Sequence, residues 1–410
     1  MTKSPQNRDS VLGMCLRTAT VAAVLAIIPV ASTQASAPAQ EPTFTVLHAF
    51  TGGAGEGANP YAGLIHDEAG NLYGTTLNGG LWQHGTVFKL DPAGVVTTLY
   101  SFERRGDGNK PYGGLVRDSA GDLFGMTPTG IGDKVSDGII YRISASGKEA
   151  KPHVFTGPPS DGLRPYGGLI RDQGTFYGTT SVGGSVDQGT VFSLSNGREI
   201  VLYSFNTHSG DGDGANPEGT LVRDEAGNLY GTTLQGGNDS FGTVFRLDST
   251  GNETILHAFS IADGSPGPSR MLDQLGNLYG TTNGGSSGDG TLFEMDTGGK
   301  NYTILYTFPG GANGAQALGA LVADKAGNLY GTTRYGGDLS CGAPYGCGVV
   351  FKLSPAGNET ILHTFSGKDG MVPSSGLVRD AAGNLYGTAP RGGSTETCDS
   401  GCGVVFKITP

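Results

Sequence analysis

Short runs of alternating apolar and polar residues recur along the chain and predict short β-strands. One unit, Gly219–Phe259, contains four such runs: GTLVR, NLYGTT, GTVFRL and ETILHAF. Glycines and β-branched residues recur every few positions, which opposes long helices and favours short strands joined by tight turns. We name the four predicted strands a, b, c and d in chain order.

This unit occurs seven times. The aromatic residue before the glycine of strand b recurs at intervals of 49 to 56 residues. These aromatic residues are Tyr73, Phe124, Tyr177, Tyr230, Tyr279, Tyr330 and Tyr386. The phenylalanines that follow strand d are Phe50, Phe102, Phe155, Phe205, Phe259, Phe308 and Phe365. A four-stranded antiparallel unit repeated radially predicts an all-β fold, a seven-bladed β-propeller.

The strands at the two ends predict a closed ring. Residues 43–50 form a lone strand d, and the last strand, Gly403–Pro410, is a strand c with no strand d after it. We expect strand 43–50 to complete the last blade, because closure removes the exposed edges of the outermost sheets. An open solenoid is the alternative, and it would need no such permutation. We therefore expect one propeller domain over residues 40–410.

The string G-L-V-x-D-x-x-G-N-L-Y-G-T-T, a loop with G-G, and then G-T-V-F-K-L resembles a known tandem repeat of exported bacterial proteins. This is the GloVer-type repeat, named from Gloeobacter and Verrucomicrobia. The resemblance covers residues 44–410. The repeat is also similar, more distantly, to the NHL and two-component-regulator propeller repeats. The resemblance implies a propeller architecture and export, and it brings no established catalytic residues.

The N-terminus has the pattern of an export signal. Lys3, Arg8 and Arg17 precede an apolar run over residues 19–31, and small residues end at Ala39. This order predicts a signal peptide over residues 1–39. A membrane anchor is the alternative, but the run is shorter than the roughly 20 residues that a span needs. We expect a secreted, periplasmic or cell-surface protein without a membrane span in its mature chain.

The net charge narrows the classes of expected partner, and the cysteines indicate disulfides. The net charge is −11, so no basic surface for nucleic acid is expected. The expected partner is a polysaccharide or a cell-surface protein. Four cysteines follow the predicted cleavage site, and an even number in an exported chain indicates disulfides. We favour the local pairs Cys341–Cys347 and Cys398–Cys402 over the other two pairings and over a metal site.

Arginine precedes the turn aspartate of the a–b link in four repeats. The four are Arg117, Arg171, Arg223 and Arg379. Because strand a of a propeller lies nearest the axis, these side chains could place positive charge at the channel mouth and bind a carboxylated or sulfated ligand. The alternative is pairing with carboxylates between blades.

Two loops carry further candidates. Trp82 and His84 lie in the first b–c link, on the face of the long loops, where an exposed tryptophan could stack on a sugar. A lone tryptophan packed under its own loop is the alternative. Asp211, Asp213 and Asn216 offer oxygen ligands at close spacing, partly like a calcium loop. A solvated turn is the alternative to calcium.

Two repeated positions favour structural roles. The turn aspartates, Asp67 and its six equivalents, lie where a hairpin needs an acceptor for turn amides. The position two residues before the strand-d phenylalanine holds His48, His153, His257 or His363 in four repeats and tyrosine in the others. A position that accepts either residue requires a flat ring with a polar tip. This favours a structural role in packing over a role in proton transfer.

The near-uniform repeats favour a non-catalytic exported propeller that binds a glycan or a protein. The alternative is a polysaccharide-active enzyme, a lyase or a glycoside hydrolase, with an axial site on the long-loop face. That enzyme would need His84, a tyrosine and arginine or aspartate residues to converge at the axis. A structural role in a surface layer is a third hypothesis.

Overall fold

Each repeat folds into an antiparallel sheet in which strands a to d follow one another from the axis outward. The computed structural model describes residues 41–53, 55–103, 106–130, 138–206, 212–267, 271–274, 276–393 and 398–410. The predicted signal peptide, residues 1–39, lies outside these ranges. The sheets form the seven blades of a β-propeller, as the repeat predicts.

The strands of the blades, in the order a, b, c and d, have the following bounds. Blade 1 contains Ile65–His66, Leu72–Thr76, Thr86–Leu90 and Val96–Ser101; blade 2 contains Val116–Arg117, Leu123–Thr127, Ile139–Ile143 and Glu149–Val154; blade 3 contains Ile170–Asp172, Thr175–Thr180, Thr190–Ser195 and Arg198–Ser204; blade 4 contains Val222–Arg223, Leu229–Thr233, Thr243–Leu247 and Glu253–Ala258. Blade 5 contains Leu272–Gln274, Asn277–Asn283, Thr291–Asp296 and Thr303–Thr307; blade 6 contains Val322–Ala323, Leu329–Thr333, Val349–Leu353 and Glu359–Thr364; blade 7 contains Val378–Arg379, Leu385–Ala389, Val404–Thr409 and Thr43–Ala49.

Short strands in the long connections complete the secondary structure. Two-residue strands pair Gly57–Ala58 with Asn78–Gly79, Gly162–Leu163 with Val182–Gly183, and Gly214–Ala215 with Gln235–Gly236, while Ser265–Pro266 pairs with strand b of blade 5. A 3₁₀ helix spans Gly311–Asn313. Within the described ranges, no helix has the length and apolar character required to cross a membrane.

The N-terminal strand closes the ring. Thr43–Ala49 pairs antiparallel with Val404–Thr409, with Thr43 opposite Thr409 and Ala49 opposite Val404. The amide of Phe50 continues the ladder and donates to the carbonyl of Gly403 at 2.9 Å. The predicted closure by residues 43–50 is therefore confirmed.

Aromatic pairs join each blade to the next. The phenylalanine after strand d is buried and meets the aromatic residue of strand c in the following blade edge-to-face, the arrangement that the ring quadrupole favours. The ring centroids are 5.1 to 5.5 Å apart in the pairs Phe50–Phe88, Phe102–Tyr141, Phe155–Phe192, Phe205–Phe245, Phe259–Phe293, Phe308–Phe351 and Phe365–Phe406. These contacts pack each blade against the next at a nearly constant distance.

The strand-b glycine makes room for the strand-c ring. A Cβ atom on Gly178 would lie 2.7 Å from Cζ of Phe192, and one on Gly231 would lie 2.6 Å from Cζ of Phe245. Interiors packed at crystal density cannot accept such an overlap. The glycine of the Y-G-T triplet is thus a packing requirement of the blade core.

Blade 2 departs from this pattern, because Tyr141 stands where six blades have phenylalanine. Its side chain is fully buried, and its hydroxyl has no hydrogen-bond partner among the described residues. Burial raises the pKa of Tyr141, so the phenol stays neutral. The hydroxyl has lost its water without gaining a partner, which is costly.

We expect Tyr141→Phe to stabilise the protein by about 1–2 kcal/mol, because it removes a desolvated, unpaired hydroxyl. Tyr230→Phe is the matched control, since the Tyr230 hydroxyl donates to Asp224 Oδ2 at 2.9 Å and its removal should destabilise. Urea unfolding of both variants measures whether each substitution raises or lowers the free energy of unfolding. A loss of stability in Tyr141→Phe would contradict the packing argument.

The turn aspartates hold the a–b hairpins. Asp67 Oδ1 accepts from the amides of Ala69 and Asn71, and Oδ2 accepts from the Asn71 side chain and the Tyr73 hydroxyl, all at 2.8 to 3.0 Å. Burial opposes the charged form, but these hydrogen bonds outweigh it and lower the pKa of Asp67. Asp224, Asp324 and Asp380 accept from the equivalent asparagine and tyrosine.

Candidate functional site

An axial cavity of about 930 Å³ runs between the inner strands. It is lined by the residues just before strand a in blades 1, 2, 3, 4, 6 and 7, and by strand a itself in blades 1, 2, 3 and 7. The equivalent residues of blade 5, 268–270, lie outside the described ranges. Concave sites with a few converging polar groups are the usual ligand sites of proteins, and the axis of the propeller meets this description.

Glycines allow the inner segments to pack backbone against backbone. A Cβ atom on Gly167 of blade 3 would lie 2.7 Å from the carbonyl oxygen of Gly219 in blade 4. The central threonine of strand b also donates to a carbonyl of the next inner segment, as Thr179 does to Gly219 at 3.1 Å. Thr75, Thr332 and Thr388 make the same contact with Pro111, Ser375 and Ala62. These contacts hold the cavity wall rigid.

Three tyrosines form an arc on one side of the cavity. Tyr61, Tyr112 and Tyr166 each follow the proline that ends the d–a connection, in blades 1, 2 and 3. Adjacent rings meet edge-to-face, with centroids 5.4 Å apart for Tyr61–Tyr112 and 5.7 Å for Tyr112–Tyr166. All three side chains are partly exposed to the cavity. We call this group the tyrosine arc.

Glu218 takes the equivalent position in blade 4 and extends the arc. Its carboxyl is largely buried, and burial raises the pKa of Glu218 above its usual value. Burial, together with the charges of its neighbours including Glu218, raises the pKa of Tyr112, so the phenol remains a donor. Across the axis the equivalent residues are Leu318 and Ser374. The described lining is therefore aromatic and acidic on one side and aliphatic or hydroxylated on the other.

The predicted arginines divide between the cavity and the blade interfaces. Arg117 and Arg171 are exposed and, with His66, line the end of the cavity next to the tight turns. Arg223 instead pairs with Asp172 of blade 3, with Nη1 2.6 Å from Oδ2. Arg379 is partly buried and lies outside the lining.

Trp82 and His84 are not among the residues that line the axial cavity. They lie in the b–c connection of blade 1, where Trp82 is 54% exposed next to the still more exposed Leu81. His84 is partly buried, and its carbonyl accepts the amide of Lys110 at 3.0 Å. The structure thus separates the loop candidates from the axis, and Trp82 is not packed under its own loop.

The predicted calcium loop is only partly described, because Asp211 lies outside the described residues. Asp213 Oδ1 accepts from the amide of Gly214, and Oδ2 accepts from the amide of Asn206 and the hydroxyl of Tyr203. The Asn216 side chain donates to the carbonyl of Ser181 at 2.8 Å. Both described residues therefore take part in hydrogen bonds within the protein, and calcium binding stays a prediction.

Both local disulfides are present. Cys341 and Cys347 are bonded with Cα atoms 5.5 Å apart, and Cys398 and Cys402 with Cα atoms 5.3 Å apart. Each bond closes the b–c connection of its own blade, in blades 6 and 7. These are the pairings that the sequence favours.

A second cavity of about 310 Å³ lies between blades 2 and 3, beside Phe124 and Phe176. Its principal charged groups are Lys151 and Arg142, and Arg142 is already paired with Asp122 at 2.8 Å. The polar groups here do not converge, so the axial cavity is the stronger candidate.

The tyrosine arc was not among the site residues predicted from the sequence. The signal is present as P-Y-A-G-L at residues 60–64 and P-Y-G-G-L at residues 111–115 and 165–169, with P-E-G-T-L at residues 217–221. Comparing this single column among the seven units would have shown that four adjacent blades differ from the rest.

Comparison with known proteins identifies the family. A profile of the Gloeobacter/Verrucomicrobia repeat matches residues 35–171, 132–345 and 283–410. The chain belongs to this repeat family. The resemblance carried by the G-N-L-Y-G-T-T motif is thereby confirmed. A comparison with curated proteins found no match.

Solved structures similar to this Gloeobacter/Verrucomicrobia repeat protein share its fold. The extracellular domains of the one-component system BT4673 and the hybrid two-component system BT3049, both of B. thetaiotaomicron, are 12% identical, with TM-scores of 0.54. The matches cover 85% and 90% of this chain, and 38% and 41% of those chains. The chain thus spans about two fifths of their length. A puromycin-hydrolysing peptidase of Mycobacterium tuberculosis is 11% identical, with a TM-score of 0.51 over 80% of this chain and 49% of that one.

Proposed function

We propose that this chain is an exported, non-catalytic binding protein whose axial cavity holds a saccharide. The observation that carries the proposal is the tyrosine arc with Glu218 beside it. Aromatic rings offer flat apolar faces to the C–H face of a sugar, while phenol and carboxyl groups bond its hydroxyls. A rigid wall of packed backbone keeps these groups in place, so little conformational entropy is lost on binding.

Export is supported by the cysteines and by the N-terminal segment. Two disulfides in the described residues are typical of an oxidising compartment. The charged and then apolar segment before residue 40 has the order of a signal peptide. The extracellular regulator domains share the fold, which agrees with a propeller working outside the cytoplasm. Periplasm and cell surface are both compatible with these features.

The described lining of the cavity favours binding over hydrolysis. Glu218 is the carboxyl group among the described lining residues, whereas glycoside hydrolysis by the usual mechanism needs two carboxyl groups on opposite sides of the bond. The second candidate function, a polysaccharide lyase or hydrolase, draws on the same residue. A largely buried carboxyl with a raised pKa, close to the Tyr112 phenol, is suited to proton transfer.

Glycan-array screening of the purified protein, followed by calorimetry on each ligand found, tests the proposal. We expect Tyr112→Ala to weaken binding by about tenfold or more, since a well-placed ring contributes on the order of 1 kcal/mol beyond its buried area. Tyr112→Phe should retain most of the affinity, which separates the ring from the hydroxyl. Ile261→Ala, a change at an exposed apolar residue outside the cavity lining, is the control and should bind about as well as the native protein.

The Trp82→Ala variant locates the site. Unchanged affinity supports the axial cavity. A loss of affinity in Trp82→Ala with no loss in Tyr112→Ala would move the site to the b–c connection of blade 1.

Mass spectrometry of each bound glycan after long incubation distinguishes the two functions, because a cleaved product would show that the protein is an enzyme and not a binding protein. Repeating the screen with calcium and with EDTA tests the calcium expected at Asp211, Asp213 and Asn216.

Arg117 and Arg171 bear on the charge of the ligand. They place two guanidinium groups at one end of the cavity, where a carboxylated or sulfated sugar would find charge-assisted hydrogen bonds. If the array selects acidic glycans, the double variant Arg117→Ala/Arg171→Ala should remove that preference. Arg223→Ala is the control, because Arg223 is paired with Asp172 away from the lining.

A further inference from the structure

A belt of side-chain contacts joins successive blades at the outer rim. In each blade a histidine or tyrosine lies two residues before the strand-d phenylalanine. Its ring faces a residue of the next blade, the one that lies six positions before the strand-d phenylalanine of that blade. His257 stacks on Tyr302 with centroids 3.7 Å apart, His363 stacks on Phe44 at 3.5 Å, and the Tyr306 hydroxyl donates to Glu359 Oε2 at 2.7 Å. We call these contacts the rim pairs.

The residues of the rim pairs follow a rule with one exception. By repeat position the pairs are His48/Val96, Tyr100/Glu149, His153/Glu199, Tyr203/Glu253, His257/Tyr302, Tyr306/Glu359 and His363/Phe44. Tyrosine faces glutamate three times, and histidine faces an apolar or aromatic residue three times. Among the four histidines, only His153 faces a glutamate. At this one rim pair, an imidazole and a carboxylate from different blades meet.

A third group completes the cluster. Each rim ring is also close to the acid or amide before the glycine of the d–a connection, and for His153 this is Asp161. The imidazole nitrogen of His153 and one carboxylate oxygen each of Asp161 and Glu199 all lie within 4.8 Å of one another. The distance from His153 Nε2 to Asp161 Oδ2 is 3.3 Å.

Two atoms of this cluster are buried without a hydrogen bond of good geometry. His153 Nε2, whose nearest acceptor is Asp161 Oδ2, and Glu199 Oε1 are both shielded from solvent and meet no hydrogen-bond criterion within the described structure. The Oε1 atoms of Glu149, Glu253 and Glu359 at other rim pairs lack a hydrogen bond in the same way, so the distinguishing feature here is that an imidazole nitrogen and two carboxylate oxygens lie close enough to share one ion. Imidazole nitrogen and carboxylate oxygen are standard ligands of zinc, and atoms about 2.0–2.1 Å from a tetrahedral ion lie roughly 3.3 Å apart.

We propose that His153, Asp161 and Glu199 bind a divalent transition-metal ion of the zinc type, with water in the fourth position. The ligands come from blade 2 and blade 3, so the ion clips two blades together at the rim. Calcium fits less well, because it takes six to eight oxygen ligands and this cluster offers a nitrogen and two carboxylates. The site is independent of the axial cavity and of its proposed ligand.

The charge of the cluster supports a cation. Two carboxyl groups and one imidazole share this half-buried site. A divalent ion would compensate both carboxylates at once and, because it binds only the folded state, would stabilise the protein.

Titration of chelator-stripped protein with Zn²⁺ by calorimetry tests the proposal, with Co²⁺ absorption as a second readout of nitrogen ligation. We expect one equivalent to bind and to raise the thermal midpoint. Glu199→Gln should weaken binding by about tenfold or more. Glu253→Gln is the matched control, because Glu253 is at the same position against Tyr203 and Asp213, where no imidazole is present. It should bind Zn²⁺ as the native protein does.

His153→Tyr gives a variant that should fold, since tyrosine facing glutamate is the pairing at three other rim pairs. We expect it to lose Zn²⁺ binding and the Co²⁺ signal while keeping its far-UV spectrum. The proposal is overturned if the native protein binds no stoichiometric Zn²⁺, if Glu199→Gln binds as tightly as the native protein, or if Glu253→Gln weakens binding as much as Glu199→Gln.

Discussion

A chain that begins at Thr51 is expected to lose cooperative unfolding, whereas a chain that begins at Glu41 is expected to keep it. The two differ by the strand Thr43–Ala49 and Phe50. Without them the outer edge of Val404–Thr409 is unpaired, although its other edge still pairs with Leu385–Ala389, and Phe88 of blade 1 loses its buried edge-to-face partner. Both changes open the ring at one point, and an open ring exposes a strand edge and an apolar core.

Circular dichroism during heating and urea unfolding measure this difference. The chain from Glu41 should show one sharp transition, and the shorter chain a broad or absent one with aggregation. Adding a peptide of residues 41–51 should restore part of the transition, because strand pairing between chains can replace the missing strand. Equal midpoints and slopes for the two chains would show that closure contributes little to stability.

Phe205→Ala is expected to destabilise the protein by about 3–5 kcal/mol. Phe205 is fully buried, and its ring centroid lies 5.1 Å from that of Phe245 in the next blade. Removing the ring leaves a cavity between two sheets that are each held by their own hydrogen bonds, so neither can collapse to fill it. The loss of stability therefore combines the transfer free energy of the removed ring, the cost of the cavity and the lost edge-to-face contact with Phe245.

The control for this variant is Ile261→Ala, a large apolar residue of the same region that is 73% exposed. Its free energy of unfolding should change by less than about 0.5 kcal/mol. Urea unfolding of both variants gives the comparison. A loss in Phe205→Ala no larger than that in Ile261→Ala would mean that the interblade aromatic pairs are not what holds the ring together.

The repeat separates two kinds of position. Strand-b glycine, the strand-c ring and the strand-d phenylalanine form the contacts within and between blades, so they vary little from unit to unit. The inner position after the d–a proline and the rim position six residues before the phenylalanine face a cavity or a neighbouring blade. There the units differ, and this is where Tyr112, Glu218 and Glu199 are found. Side chains that are specific to single blades thus lie on a core that all seven blades share.

The sequence alone was sufficient for the number of blades, the closure by residues 43–50 and the pairing of the cysteines. These follow from a period of about fifty residues, from the order of strands at the ends, and from cysteines 4 and 6 residues apart. All three depend on local contacts or on the count of identical units, and a linear pattern records both.

The tertiary structure decided which residues meet across blades. Tyr61, Tyr112 and Tyr166 are 51 and 54 residues apart, and Glu199 is 46 residues from His153. Each group becomes a cluster only because the ring places equal positions of neighbouring blades side by side. The same geometry directed Arg223 to Asp172 and Arg117 to the cavity, although both precede the same turn aspartate. Packing between blades distinguishes positions that the repeat makes alike, and it acts through distances that no spacing along the chain contains.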